Sequence, residues 1–209
     1  MAAKPRRKNG EETGARMRIL DAAFAAFTKN GYAASSTLDI ATRARVSKRE
    51  LYALVGNKQE MLVACIAARA KRLQLPADLP VPRDRQSLAR VLSGVGSQLI
   101  REVTDPTVIA VFRLAIAEAI HAPEVAQALD SIGRESSRAA LRHIMASAQS
   151  SGLLDGRPEK LAEQFASLLW GLLMIDLLLG VAARPTAREL ETRAGDVTAV
   201  FMQIHPRPS

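Results

Sequence analysis

The spacing of apolar residues predicts a chain built from helices. In residues 15–29, Ile19, Ala23, Phe24 and Phe27 form an apolar stripe at helical spacing, and Gly31 stands where a helix commonly ends. Runs of alanine and leucine are frequent, whereas strand-like clusters of valine, isoleucine, threonine and tyrosine are few. The predicted fold class is therefore all-α.

A short helix and a tight turn are predicted early in the chain. Ser36 and Thr37 can cap a helix over residues 38–44, because a side-chain hydroxyl accepts a hydrogen bond from the unpaired N–H groups of a first helical turn. Arg45 and Val46 then form the turn. The apolar side of this helix is predicted to consist of Leu38, Ala41 and Ala44.

A second short helix is predicted directly after the turn. Ser47 and Glu50 have the S-x-x-E spacing of a capping box, in which each residue bonds the backbone N–H of the other. Gly56 ends this helix, and Asn57 with Glu60 forms another box at the start of the next one. The outward positions are Lys48, Arg49 and Glu50, and the inward positions are Val46, Leu51 and Val55.

This arrangement is typical of a helix-turn-helix, in which the second helix enters the major groove of DNA. The charge distribution agrees. Residues 1–72 carry 15 Lys and Arg against 6 Asp and Glu, a net charge of +9, whereas residues 73–209 carry 14 against 15, a net charge of −1. A phosphate-binding domain joined to a neutral one predicts this asymmetry. A generically basic protein, or an architectural protein that coats DNA without sequence preference, would spread its charge evenly.

The chain has 209 residues, of which 48% are hydrophobic, and this is enough for a substantial core. The proline-rich stretch 76–84 is the predicted domain boundary. The predicted domains are a disordered basic arm (1–14), a helix-turn-helix domain (15–57), a connecting helix (58–75) and a larger helical domain (76–209). In the larger domain, prolines separate predicted helices at 86–103, 106–121, 123–151, 158–182 and 186–203.

The basic arm has two open interpretations. Lys4, Arg6, Arg7 and Lys8 can follow a minor groove of DNA, or they can serve as a solubilising tail. The first residues are too polar for a signal peptide. The single cysteine, Cys65, excludes an intrachain disulfide framework and fits a reducing cytoplasm.

Residues 168–183 are strongly apolar, but the segment has 16 residues and contains Asp176. A transmembrane helix needs roughly 20 apolar residues and tolerates a central carboxylate poorly. We therefore expect a helix buried within the protein or against a second subunit, and no membrane partner.

The sequence offers little for catalysis. Three histidines and one cysteine are present, without the spacing of a metal site, a nucleophile elbow or a phosphate-binding glycine loop. We expect no enzyme activity, no cofactor and no metal. The alternative is a small-molecule binding protein or enzyme with an incidental basic helical head.

Three segments together resemble the TetR/AcrR family of bacterial transcriptional regulators: ILDAAFAAFTKNGY, DIATRARVSKRELY and NKQEML. Their order, spacing and residue types are more specific than a bare helix-turn-helix pattern. In the C-terminal part, FRLAIAEA (112–119) and PEKLAEQFASLLWGLL (158–173) resemble the AefR-like branch. The resemblance implies a three-helix DNA-binding head on an all-α body for ligand binding and dimerisation. Members are mostly repressors that a small molecule releases from DNA.

The resemblance also implies the residues that meet DNA. Arg49 would prefer the O6 and N7 atoms of guanine, and Glu50 a cytosine amino group. Alternatives remain open: the serines can act as helix caps only, Tyr52 can be a core aromatic, and Arg49 can pair with Glu50. The implied DNA contacts are Ser36, Thr37, Ser47, Lys48, Arg49, Glu50, Tyr52 and Lys58.

Three positions depart from the family pattern. Arg45 stands where the family often has glycine, so the turn must form at some strain. Leu54 replaces a polar residue near the DNA backbone, and Val55 replaces a phenylalanine beneath the second helix. These changes affect the details of docking on DNA.

The body is predicted to bind a small-molecule effector and to form a homodimer on a palindromic operator, since two copies read two half-sites. Packing within one chain is the competing role for the dimer candidates. The candidate ligand residues are Phe112, Arg113, Ile116, Glu118, His121 and Met145, and the candidate dimer residues are Trp170, Leu173, Met174 and Leu177.

Overall fold

The computed structural model describes residues 6–70 and 81–206. These residues form helices without any strand, which confirms the all-α prediction. The helices are α1 (Arg6–Asn30), α2 (Thr37–Ala44), α3 (Lys48–Val55), α4 (Lys58–Ala70), α5 (Arg85–Val103), α6 (Pro106–Glu118), α7 (Pro123–Ala128), α8 (Glu135–Ser150), α9 (Pro158–Trp170), α10 (Leu173–Leu179) and α11 (Ala187–Ile204), with a π-helical turn at Leu129–Arg134.

The chain divides into two compact units. The head unit takes in the residues up to Arg69 together with Ala110–Asp130, and the body unit takes in Ala70–Ile109 with the residues from Ser131 onward. The sequence assigned 110–130 to the body. By their contacts these residues group with the head unit, where Gln59 donates a hydrogen bond to Glu124, and the division into domains stays a prediction. Most of the proline-rich boundary segment lies outside the described residues.

Helix α1 begins at Arg6 rather than at Ala15, so residues 6–14 are helical where a disordered arm was predicted. Arginine, lysine and glutamate are strong helix formers, and extending an existing helix needs no new nucleus. The first five residues, with Lys4, lie outside the described part of the chain. Of the predicted inner stripe of α1, Ile19, Ala23 and Phe27 are buried, whereas Phe24 is half-buried beneath the Arg69 guanidinium.

The body unit has a continuous apolar core from α5, α8, α9 and α11. At its centre Phe165 and Phe201 pack edge to face with ring centroids 5.4 Å apart. Both rings are fully buried, as is Met145 on α8. Arg85 at the start of α5 donates hydrogen bonds to the carbonyl oxygens of Leu153, Met202 and His205, which fastens the C-terminal end of α11 to this core.

The predicted helix 158–182 is wrong as a single helix. It breaks at Gly171, and α9 and α10 meet at 52°. Gly171 has φ 45° and ψ −141°, a conformation that side chains disfavour. The Arg193 guanidinium donates to the carbonyl oxygens of Leu169 and Trp170, at 2.7 Å and 3.1 Å, and so satisfies the end of α9.

The other differences from the predicted helices are smaller. Helix α6 ends at Glu118, and the predicted helix 123–151 contains the π-helical turn between α7 and α8. Helix α4 is described as far as Ala70, and its predicted continuation lies beyond the described residues. Within residues 6–70 and 81–206, no single helix has the length and apolarity to cross a membrane, although α9 and α10 reach both as a bent pair.

Candidate nucleic-acid interface

Serine caps fix the starts of α2 and α3. The Ser36 hydroxyl accepts hydrogen bonds from the backbone N–H groups of Leu38 and Asp39, at 3.2 Å and 3.4 Å. The Ser47 hydroxyl accepts one from the N–H of Glu50 at 3.1 Å. Both predicted caps are therefore confirmed, although in the described contacts Glu50 does not complete the box from its own side chain.

The next capping box forms in full at the start of α4. The Glu60 carboxylate accepts a hydrogen bond from the N–H of Asn57 at 2.7 Å, and the Asn57 side-chain oxygen accepts one from the N–H of Glu60 at 2.9 Å. The two residues thus hold the chain on leaving α3, as the sequence predicted.

The inner faces of the two helices differ from the prediction at one place. Ala41 and Ala44 are buried as expected, but Leu38 is 60% exposed and Ile40 is fully buried in its place. The predicted spacing of i, i+3 and i+6 drifts around a helix of 3.6 residues per turn, whereas positions 40, 41 and 44 share one face. Leu51 in α3 is fully buried, and Val46 in the preceding turn and Val55 at the end of α3 are half-buried.

The turn between α2 and α3 requires a left-handed residue. Arg45 has φ 56° and ψ 47°, and its N–H donates to the carbonyl oxygens of Ala41 and Thr42. The N–H of Val46 also donates to Ala41, at 3.1 Å. Arg45 is the one non-glycine residue with positive φ in the described part of the chain, so the predicted strain is present.

The outer face of α3 is polar and brings three predicted DNA contacts together. Tyr52 is 42% exposed, which excludes the core-aromatic alternative. Its hydroxyl lies 3.5 Å from the Thr37 hydroxyl on α2, and the Lys48 ammonium lies 5.9 Å from its ring. Arg49 and Glu50 are also exposed, and they form no ion pair with each other among the described residues.

Lys58 is held away from α3, at the chain between α1 and α2. Its ammonium donates to the Ala33 carbonyl oxygen at 3.0 Å and lies 4.7 Å from the centre of the Tyr32 ring. Burial, then Glu118 and Glu124, raises the pKa of Tyr32. Tyr32, which contacts the predicted site residue Lys58, was not among the predicted site residues, although its position directly after Gly31 at the end of α1 is visible in the sequence.

The structure does not gather the candidate ligand residues into one unit. Met145 is fully buried in the body core. The other five belong to the head unit: Ile116 is 60% exposed, Arg113 and His121 are also exposed, and Phe112 and Glu118 are half-buried. The ligand site stays a prediction.

The candidate dimer residues lie mostly inward. Trp170 and Leu173 pack against the body core, Met174 is half-buried, and Leu177 is 6% exposed and so offers little surface to a partner. The break at Gly171 changes the register of the faces that follow. The exposed apolar residues of this region are Leu172, Ile175, Leu179 and Val181.

Two surface grooves accompany these elements. One, of about 380 Å³, lies between α9 and the end of α11, and the other, of about 300 Å³, lies between α1 and α2. Neither is lined by the predicted ligand residues. Within the described residues, no group of three or more His, Cys, Asp or Glu side chains is placed to hold a metal ion.

Two family models match the chain. Residues 19–65 match bacterial regulatory proteins of the tetR family, and residues 90–205 match the AefR-like transcriptional repressor, C-terminal domain. The second match covers more than half of the chain. No protein of curated function matches the sequence.

Solved structures share the fold along most of the chain. A TetR transcriptional regulator from Agrobacterium tumefaciens is 23% identical with a TM-score of 0.79, over 91% of this chain and 94% of that one. The flavonoid-responsive regulator FrrA is 27% identical with a TM-score of 0.76, over 93% and 97%. FadR from Bacillus subtilis, in complex with stearoyl-CoA, is 18% identical with a TM-score of 0.66, over 88% and 96%.

Proposed function

Since the chain belongs to the TetR family of bacterial regulatory proteins, and is thus a DNA-binding transcriptional regulator, we propose that it is a repressor. A small molecule binds its body and releases it from its operator. The AefR-like repressor match of residues 90–205 supports this direction of control. The protein acts in the cytoplasm, where the DNA is, and performs no catalysis.

The observation that carries DNA binding is the polar surface shared by α2 and α3. Thr37, Lys48 and Tyr52 lie together, and hydroxyl and ammonium groups are suited to phosphate oxygens. Arg49 and Glu50 point outward from the same short helix and read base edges, Arg49 at guanine and Glu50 at cytosine. The operator half-site therefore contains G·C pairs.

The flanking residues complete the contact with the DNA backbone. Ser36 and Ser47 sit at helix N-termini, where unpaired N–H groups and the helix dipole favour an anion. Lys58 also begins a helix, and its ammonium exchanges the Ala33 carbonyl for a phosphate when DNA arrives. These contacts fix the orientation of α3 in the groove.

Two copies of the chain bind a palindromic operator. Leu172 and Leu179 are each 72% exposed, and Ile204 at the end of α11 is 56% exposed. Exposed apolar surface of this kind favours association, and a symmetric dimer presents two α3 helices to two half-sites. A Leu179→Glu variant is expected to lower both self-association, measured by sedimentation, and operator affinity.

The effector shifts an equilibrium between two arrangements of the dimer. It binds more tightly to the arrangement in which the α3 helices no longer match adjacent major grooves. Because FrrA is named a flavonoid-responsive regulator, flavonoids are the first class of compound to screen. Binding of a flavonoid and of the operator must oppose each other by the same factor.

The decisive experiment measures DNA binding of the full chain by fluorescence anisotropy. The probe is the intergenic DNA upstream of its own gene, with random-sequence DNA as competitor. Lys48→Ala/Tyr52→Ala should weaken binding by about tenfold or more, because it removes two phosphate contacts from each copy. Lys160→Ala, which removes one exposed charge from the body, is the control and should bind as the wild type does.

Equal, weak binding of wild type and double variant to the intergenic probe and to random-sequence DNA would show that this probe holds no operator. A selection from random oligonucleotides then decides the matter. If it enriches no palindrome, the proposal fails. If it enriches one, the operator lies elsewhere in the genome and the same variants are tested on it.

A further inference from the structure

The side chain of Arg45 has no structural role that the described contacts show. Its backbone is left-handed, with φ 56°, where the Cβ atom of an L-residue crowds the neighbouring carbonyl oxygen. A strained residue of this kind persists when something outside local geometry requires it.

The backbone does not require an arginine. The N–H groups of Arg45 and Val46 close the end of α2 by donating to Ala41 and Thr42. Glycine makes the same closing contacts without a Cβ atom, and asparagine tolerates this conformation better than most residues. The bonds that define the turn are therefore independent of the guanidinium.

The guanidinium also lacks a partner in the described residues, since Arg45 is exposed and makes no hydrogen bond, ion pair or ring contact there. Two other arginines of the head unit do have such partners, although Arg49, like Arg45, makes no such contact within the described residues. Arg18 donates to the Ala44 carbonyl oxygen at 3.1 Å, and Arg69 pairs with Asp21 at 3.1 Å. Arg45 is left as a charged donor directed at solvent.

Arg45 stands next to the part of the head that meets DNA. It precedes the Ser47 cap by two residues, and two residues span at most about 7 Å of chain. Lys48 and Arg49 follow on the first turn of α3. The N-terminus of α3 adds the partial positive charge of its dipole, so this corner attracts an anion.

We propose that Arg45 is a further DNA-contact residue, whose guanidinium binds a backbone phosphate at the edge of the groove that α3 enters. The inference rests on the proposed function. A phosphate fits better than a base, because the turn lies outside the helix that reads bases. The planar guanidinium also matches phosphate oxygens with two parallel hydrogen bonds.

The test compares Arg45→Gly, Arg45→Asn and Arg45→Lys in the full chain, on a random-sequence duplex and on the selected operator. Each lost phosphate contact lowers the slope of log affinity against log salt by about 0.9. The ratio of the DNA affinity of wild type to that of Arg45→Gly should therefore fall about threefold per bound copy when the salt concentration rises from about 50 to about 200 mM. Arg45→Lys should keep the slope.

Two further measurements separate a DNA contact from a structural role. The melting temperatures of Arg45→Gly and Arg45→Asn should equal or exceed that of the wild type, because the strain is relieved. Arg157→Gly is the control. It removes an exposed charge at the N-cap of α9, where glycine is well tolerated, and it should leave the salt slope unchanged.

An unchanged slope in both Arg45→Gly and Arg45→Asn would overturn the assignment. So would a lowered melting temperature in both variants, or a loss of affinity confined to the operator, which would indicate base reading. These results leave the regulator proposal intact as long as Lys48→Ala/Tyr52→Ala still weakens operator binding by about tenfold or more. If wild type itself fails to bind either duplex in a salt-dependent way, both proposals fall.

Discussion

The short helices α2 and α3, which carry the proposed DNA contacts, and the long helices of the body are stabilised in different ways. Helix α3 has 8 residues and buries only Leu51 completely, whereas α5 has 19 residues, of which seven are buried. The caps of Ser36 and Ser47 fix α2 and α3 locally. The body helices depend on contacts between residues far apart in sequence, such as those of Phe165 with Phe201. Helix α3 therefore exposes most of its side chains, whereas α5 contributes most of its apolar side chains to the body core.

Among the substitutions that test this difference between the two units, Phe165→Ala is expected to change stability the most. The ring is fully buried, packs against Phe201, and lies 3.3 Å from where a Cβ on Gly96 would be. Its loss should lower the free energy of unfolding of the body by about 3–5 kcal/mol. Fluorescence of Trp170, the single tryptophan, reports on this unit in a denaturant titration.

Val81→Ala is the control for that change, because Val81 is 66% exposed and the substitution should alter stability by less than about 0.5 kcal/mol. A loss below about 1 kcal/mol for Phe165→Ala would show that the body is not held by this core. The contrast between the two units would then break down.

A smaller loss is expected for Gly171→Ala, at the bend between α9 and α10. The new Cβ would lie 2.8 Å from the Arg193 guanidinium, at a φ that alanine disfavours. We expect the free energy of unfolding to fall by about 1–3 kcal/mol. Gly94→Ala is the matched control: nothing lies within 4 Å of its Cβ position in α5, so alanine should stabilise by about 0.5–1 kcal/mol.

If Gly171→Ala instead raises both stability and helical circular dichroism, α9 and α10 prefer to join as one helix. Local helix propensity would then outweigh the tertiary contacts of Arg193 at this position. The bend would follow from the glycine alone, without any requirement of the surrounding core.

How far the sequence predicts the structure follows the same division. The caps at Ser36, Ser47 and Asn57 were predictable because each depends on residues at most three positions away. The bend at Gly171 was not, because it is stabilised by Arg193, more than 20 residues later, and an apolar run such as 168–183 favours a continuous helix when considered alone.

The same distinction between local and distant contacts separates the predictable from the unpredictable features of the candidate site. The outward positions of Lys48, Arg49 and Glu50 followed from the helical pattern, whereas the exposure of Tyr52 did not, and its role came from the family resemblance. The contact of Lys58 with Tyr32 and Ala33 depends on how α4 packs beside the end of α1. The assignment of 110–130 to the head unit also depends on tertiary contacts. No pattern within that segment indicates its neighbour.

A substitution at the N-cap of α3 tests how much a local hydrogen bond stabilises the head. Ser47→Ala removes the acceptor for the Glu50 N–H and should lower the free energy of unfolding of the head by about 1 kcal/mol. Both tyrosines of the chain, Tyr32 and Tyr52, lie in the head, so near-ultraviolet circular dichroism of tyrosine reports on it. Ser47→Asn should restore the lost stability, and failure to do so would show that the hydroxyl acts through something other than capping.

The smallest expected effect is on the pH dependence of stability. The cap of α5 in the body is the carboxylate of Asp84, which can be protonated, whereas the serine caps of α2 and α3 cannot. The backbone N–H of Ser87, and then its hydroxyl, lower the pKa of Asp84 below its usual 3.8. A lowered pKa in the folded state means that the carboxylate stabilises the fold above pH 3.8, and that this contribution is lost as the pH falls through the folded value.

Asp84→Asn keeps a capping oxygen without the charge. Its unfolding free energy, followed by Trp170 fluorescence, should therefore fall less steeply than that of the wild type below about pH 4. Parallel curves for the two proteins would mean that the acid sensitivity of the body lies in other carboxylates.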